Sequence, residues 1–140
     1  MSLPEITVVA AIIYNSQNQI LITKRPAHLH LAGMWEFPGG KVKNGESFEC
    51  ALEREISEET ALEINVGSLY WKESVDYSKK KVHLYFYNCT LKDQRQKVVM
   101  HEIADYSWVS VDQLRDFEFP KADLNLINHL IGLKSPRAAD

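Results

Sequence analysis

Between Glu46 and Leu62 the chain carries Glu46, Glu49, Glu53, Glu55, Glu58 and Glu59, with Arg54 as the only cation among them. Ser47 is a good N-cap, and the residues after it, as far as about Thr60, are predicted to form a helix. Placed at about 100° per residue from Phe48, the residues Phe48, Ala51, Leu52 and Ile56 occupy an apolar arc from about 300° to about 80°. Glu49 and Glu53 fall at or beyond its edge, at about 100° and about 140°, as a solvated face requires. Glu55 and Glu59 do not: at about 340° and about 20° they sit in the middle of the apolar arc, with Glu58 at its other border.

Carboxylates aimed where a core belongs are costly unless something cationic meets them. Arg54 is one charge and cannot balance three. Hard divalent cations take carboxylate oxygens, and Mg²⁺ favours few carboxylates supplemented by substrate phosphates. The pattern therefore points to a Mg²⁺–phosphate site at one end of this helix. Gly39, Gly40 and Gly45 precede the helix, where glycine lets a backbone turn sharply or approach a ligand closely. Pro38-Gly39-Gly40 reads as a turn.

Other elements must hold that helix in place. Ile6 to Tyr14 (ITVVAAIIY) is a nearly unbroken apolar run rich in β-branched residues, as in a strand covered on both faces. A polar turn at Asn15 to Asn18 and a strand at Gln19 to Lys24 complete a hairpin. Arg25 to Met34 has no sustained period and reads as a loop, and Trp35 to Pro38 as a short extended piece. Strands are predicted at Glu63 to Tyr77, Lys81 to Thr90 and Tyr106 to Val109, and helices at Val111 to Asp116 and Ala122 to Leu133. Strands mixed with helices suggest an α/β domain with a mixed sheet and helices on both faces.

With 140 residues, residues 1–134 are expected to form a single domain around one core, and 135–140 a flexible C-terminal tail. A net charge of −3 argues against a nucleic-acid polymer or an acidic membrane as partner, though not against a small basic pocket. Cys50 and Cys89 form no CxxC pair and read as reduced core thiols. No apolar run reaches the roughly 18 residues of a membrane span, so the expected location is cytoplasmic. The oligomeric state is left open between monomer and homodimer.

From Gly40 to Leu62 the chain follows the pattern G-x5-E-x7-R-E-U-x-E-E-x-G-U, where U is bulky and apolar, except that Ala61 replaces the last glycine. This resembles the signature of the Nudix hydrolases, and implies an α/β/α sandwich with a mixed β-sheet between helices. It also implies roles. Glu55, Glu58 and Glu59 would ligate Mg²⁺ (or Mn²⁺) with the Gly39 carbonyl, and one of them, or a water they hold, would act as base. Glu46 would pair with Arg54 and fasten the loop to the helix. Glu102, six residues before Trp108, stands where the family has a further carboxylate ligand. Ala61 raises the question of whether the helix ends as the family's glycine would end it.

The likeness extends to RPAHLH (Arg25 to His30), WEFPGGK (Trp35 to Lys41) and FPKAD (Phe119 to Asp123), which look like the MutT-like branch acting on nucleoside triphosphates. It implies that Arg25 and His30 reach nucleotide phosphate or base. Phe37, Tyr77 and Leu84 would wall the base, and Gly40 and Lys41 would line the substrate. Phe37 and Leu84 could equally be plain core, Asp123 a helix cap, and His83, Tyr85 and Tyr87 could line the pocket or the opposite layer. An ionised Asp123 only accepts hydrogen bonds, so it suits amine-bearing base edges and suits a carbonyl edge poorly unless protonated. The segment FPKADLNLI also resembles relatives that prefer cytidine triphosphate. The expected reaction is cleavage of (d)NTP to (d)NMP and pyrophosphate, leaning to (d)CTP or its modified forms. The alternatives are 8-oxo-dGTP and other nucleoside diphosphate derivatives.

Overall fold

A computed structural model describes residues 3–134; the tail expected at 135–140 lies outside them. Seven strands build one mixed sheet: β1 (Glu5–Tyr14), β2 (Ile20–Lys24), β3 (Trp35–Glu36), β4 (Gly39–Lys41), β5 (Ile64–Tyr77), β6 (Lys80–Leu91) and β7 (Asp105–Val109). The order β3-β2-β1-β6-β5 forms the main path, with β4 paired to β1 and β7 to β2. β1 and β6 run parallel, and the other pairs are antiparallel.

The alternation of β1 explains its unbroken apolar sequence. Val9, Ala11 and Ile13 face the layer of helix α1 (Phe48–Thr60), meeting Leu52 and Ile56. Ala10 and Ile12 face the other layer, where Leu126, Ile127 and Leu130 of helix α2 (Leu124–Lys134) close the core. Each large side chain so buried stabilises the fold by about 1.5–3 kcal/mol. The result is the α/β/α sandwich.

Several expectations need correcting. Gly39 and Gly40 belong not to a turn but to β4, paired with Val8 to Ala10 of β1. At Gly39 glycine is needed for space, and at Gly40 a side chain would displace Glu55. A Cβ on Gly39 would strike the Val9 carbonyl and Ala10, and one on Gly40 would strike the Glu55 carboxylate. Val111 to Asp116 is a 3₁₀ helix, and a second 3₁₀ turn at Lys121–Asp123 leads into α2. Cys89 is buried, but Cys50 is exposed, because it lies opposite the apolar arc of α1. His83, Tyr85 and Tyr87 point away from the cavity described below: Tyr85 and Tyr87 join the α1 layer, and His83 bonds Glu5 and Ser74.

Candidate active site

Helix α1 begins as its sequence requires, with the Ser47 hydroxyl accepting from the Cys50 N–H at 3.1 Å. Its exposed side carries Glu49 and Glu53. Its C-terminus answers the question raised by Ala61, which adopts the left-handed conformation, φ 62°, and donates its N–H to the Ser57 carbonyl. The alanine thus does what glycine would, against a steric penalty of about 1 kcal/mol.

Two further carbonyls at this helix end are taken by the loop between β6 and β7. The Val99 N–H donates to Thr60 at 2.9 Å and the His101 N–H to Glu59 at 3.1 Å. These bonds satisfy groups that every helix end leaves open, and they bring Glu102 to the cluster. The loop ends with the Ala104 N–H on the Lys24 carbonyl.

Arg54 binds this end of the site together. Its Nε and Nη2 donate to the two oxygens of Glu46 at 2.6 and 2.9 Å, and Nη2 also reaches the Lys41 carbonyl of β4. Glu46 additionally accepts from the Lys43 N–H. These bonds hold its carboxyl down at about 2 and the guanidinium well above its usual range. Glu46 itself stays outside the cavity.

The cavity has a volume of ≈ 640 Å³. At one end are Glu55, Glu58, Glu59 and Glu102, with Gly39, Gly40 and Lys41 of β4 beside them. Burial, then the charges of Glu36 and Glu55, push the Glu59 carboxyl up to about 9, although the Gly39 N–H opposes the rise. Its Oε1 is buried without a hydrogen-bond partner. Burial also raises Glu55, with Arg54 opposing. The donor chemistry of this group fits a hard cation: carboxylates, one of them buried with an unanswered oxygen, beside a glycine backbone. The side chains are not yet gathered, since among the described residues no three such groups converge on one ion. Glu55 and Glu58 instead lean on Arg54, at 3.4 and 3.1 Å, and must rotate toward an ion.

At the other end lie Arg25, His30, Tyr77, Leu84 and Asp123. The His30 ring meets Tyr77 edge-on at 5.1 Å. Phe37 is both wall and core: it borders the cavity while packing on Phe86 and Phe119. Asp123 is only 5% exposed, and among the described residues its carboxyl makes no capping bond to α2. Burial, then the Glu36 charge, pushes it up to about 8, against the pull of Arg25 and with a smaller push from Glu73. This environment favours the protonated form of Asp123, the case in which its carboxyl can donate as well as accept.

Among the cavity residues that escaped the sequence reading, Glu36 and Lys80 carry charge into it. Glu36 accepts from Arg25 Nη1 at 2.9 Å, brought there by the pairing of β3 with β2, which no local sequence pattern signals. Lys80 borders the cavity with its ammonium over the Tyr77 ring, 5.7 Å from the centroid.

The chain matches the NUDIX domain across residues 9–129. It belongs to the Nudix family. It is similar to the CTP pyrophosphohydrolase of Escherichia coli K12, with 35% identity over 96% of this chain and 98% of that protein. It is also similar to the 8-oxo-dGTP diphosphatase of the same organism, with 31% identity over 90% of this chain and 96% of the other. Among solved structures, the E. coli ORF135 protein superposes with a TM-score of 0.79 at 34% identity, over 99% of this chain and 96% of that one. The MutT protein of Methanosarcina mazei Go1 gives a TM-score of 0.84 at 25% identity, over 97% and 99%. This Nudix chain is an enzyme, a nucleotide pyrophosphohydrolase by family.

Proposed function

We propose that this Nudix enzyme cleaves (d)NTP to (d)NMP and pyrophosphate with Mg²⁺ (Mn²⁺ as substitute), and that (d)CTP or a modified cytidine triphosphate is its preferred substrate. The observation that carries the reading is one cavity lined both by Glu55, Glu58, Glu59 and Glu102 and by the buried Asp123. A neutral carboxyl both donates and accepts. It can donate to the ring N3 of cytosine while accepting from the adjacent 4-amino group. The similarity to a CTP pyrophosphohydrolase over nearly the whole chain supports the same choice.

Glu55, Glu58, Glu59, Glu102 and the Gly39 carbonyl would hold the ion, which neutralises anhydride charge and makes water a better nucleophile. Glu55 or Glu58 takes the proton of the attacking water as the anhydride bond between the α- and β-phosphorus breaks, releasing the monophosphate and pyrophosphate. Arg54 and Glu46 keep β4 and the loop that follows it against α1, so the Gly39 carbonyl and the carboxylates stay in register. Lys41 faces the phosphates, Arg25 and His30 the nucleotide, and Phe37, Tyr77 and Leu84 the base.

A second reading, 8-oxo-dGTP as substrate, draws on the diphosphatases of that name among the relatives. A pyrophosphate-release screen over natural, methylated and oxidised (d)NTPs separates the two. The highest kcat/KM on a cytidine triphosphate supports the first. A preference for 8-oxo-dGTP selects the second, and pyrophosphate release from neither sinks both.

A further inference from the structure

Five lysine and arginine side chains border the cavity: Arg25, Lys41, Lys43, Arg54 and Lys80. Arg25 is paired with Glu36, Arg54 with Glu46, Glu55 and Glu58, and Lys80 lies over the Tyr77 ring. Lys41 and Lys43 are exposed, and among the described residues neither forms an ion pair. Lys41 pairs with Val8 of β1, and the chain stays extended beyond it, with the Val42 N–H on the Thr7 carbonyl at 3.1 Å. Side chains of an extended chain alternate, so Val42 turns into the α1 layer while Lys41 and Lys43 share the other face, about 7 Å apart along the chain. The main chain of both lysines is clamped. Arg54 Nη2 donates to the Lys41 carbonyl at 3.1 Å. The Lys43 N–H donates to Glu46 Oε1 at 2.9 Å, and the Lys43 carbonyl accepts from the Glu46 N–H at 3.1 Å. Lys43 thus offers an uncommitted ammonium to the cavity from a fixed root.

We propose that Lys43 binds the terminal phosphate of the substrate and thereby selects nucleoside triphosphates over diphosphates. The proposal rests on the nucleoside triphosphate reading above and deepens it. The family pattern is silent here: Lys43 is one of the five residues between Gly40 and Glu46 that the pattern leaves open. From Gly39 to Lys41, β4 runs past Ala10, Val9 and Val8 in turn. Each step along it leads away from Ala10 and the buried Phe86 beside it on β6. A nucleotide whose base lies toward Asp123, and whose inner phosphates meet Lys41 and the acidic cluster, therefore runs its chain on toward Lys43. A triphosphate brings more negative charge than one divalent ion and Lys41 can balance. Lysine suits the remaining task, as a compact point charge on a flexible stem that follows a phosphate without fixing its angle. A diphosphate ends one phosphate short and leaves the ammonium in water. After cleavage the β- and γ-phosphates depart together as pyrophosphate, so Lys43 also holds that product.

The test measures the binding of magnesium pyrophosphate and of CMP by calorimetry, on the wild type, Lys43→Ala and Lys43→Arg, beside kinetics on the (d)NTP that the wild type cleaves best. Lys43→Ala should weaken pyrophosphate by about tenfold, as expected for the loss of a charge-assisted hydrogen bond. CMP, which lacks the terminal phosphates, should bind as before. KM for the triphosphate should rise by a similar factor with kcat nearly kept, because the contact is already made in the ground state. Lys43→Arg keeps the charge and should keep most of the pyrophosphate affinity. A residue that merely supported the loop would weaken both probes alike. Equal losses for the two probes, or an unchanged pyrophosphate affinity, overturn the proposal while leaving the pyrophosphohydrolase reading intact. Absence of pyrophosphate release from any (d)NTP by the wild type overturns that reading and this proposal with it. Should Lys43→Ala not fold, Lys43→Gln removes the same charge from a longer side chain, and its two affinities decide by the same criteria.

Discussion

The two ends of the cavity are made in different ways. The end proposed for phosphate is local: β4, the loop through Glu46 and three carboxylates of α1 fall between Gly39 and Glu59, and only Glu102 comes from elsewhere. The end proposed for the base is assembled from Arg25 after β2, Tyr77 on β5, Leu84 on β6 and Asp123 ahead of α2, with Glu36 on β3 felt by both Asp123 and Glu59. Local construction fixes geometry through helix period and short-range bonds. Distant construction lets each wall change alone. Reaction chemistry should therefore be robust at the first end, and substrate choice adjustable at the second.

The largest expected effect strikes the phosphate end. Glu59→Gln keeps the shape of the side chain but removes a ligand charge, and turnover should fall by about 10²- to 10⁴-fold. If chemistry and base recognition are separable, the KM ratio between CTP and UTP will not move. Wild-type turnover with Mg²⁺ would remove Glu59 from the reaction.

A stability measurement sharpens the same contrast. The Glu59 carboxyl lies at about 9 in the fold against an ordinary value of 4.5, and Asp123 at about 8 against 3.8. Between those limits the folded chain holds protons that the unfolded chain has released, so stability falls as pH rises. In a chelator, the Tm should drop by several degrees between about pH 5.5 and about pH 8.5. Mg²⁺ should recover the part due to Glu59 and leave the part due to Asp123. A flat chelator profile would contradict the protonated state of both.

At the base end, Asp123→Asn replaces a neutral acid by an amide that also donates and accepts. Near pH 7, relative kcat/KM across bases should change by less than about tenfold. Above pH 8 the wild type ionises and its preference should drift, while the variant stays constant; parallel profiles would make Asp123 structural.

The smallest effect tests the helix end that serves the first region. Ala61→Gly relieves the left-handed alanine and should stabilise by at most about 1 kcal/mol, part of it offset by glycine's freedom in the unfolded chain. Activity should be unchanged. Denaturant titration reads the difference, and a loss of stability would mean that the alanine is unstrained.

The comparison also explains what was legible before any coordinates. The inward aim of Glu55 and Glu59 follows from helix period alone, because an α-helix allows no other placement. The pairing of β4 with β1 was hidden, since Gly39-Gly40 looks like a turn until Val9 and Glu55 are seen pressing on it. Glu36 was hidden for a related reason: its partner lies across a loop whose closure no local pattern encodes. The protonation of Asp123 depends on burial and on charges from three other segments, so its residue type pointed to the opposite state. Cys50, by contrast, could have been placed by the same helical angles that placed the glutamates.

The loop that brings Glu102 to the cluster grips α1 through the main chain, at the carbonyls of Thr60 and Glu59. Main-chain bonds do not depend on side-chain identity, so the side chains at 99 and 101 can vary without releasing the carboxylate that follows them. Proline is the exception at Val99 and His101, where it would abolish a donor. Glu59 thereby serves twice, by its side chain in the acidic cluster and by its carbonyl as a mooring. Exchanging the side chain alters one service and spares the other.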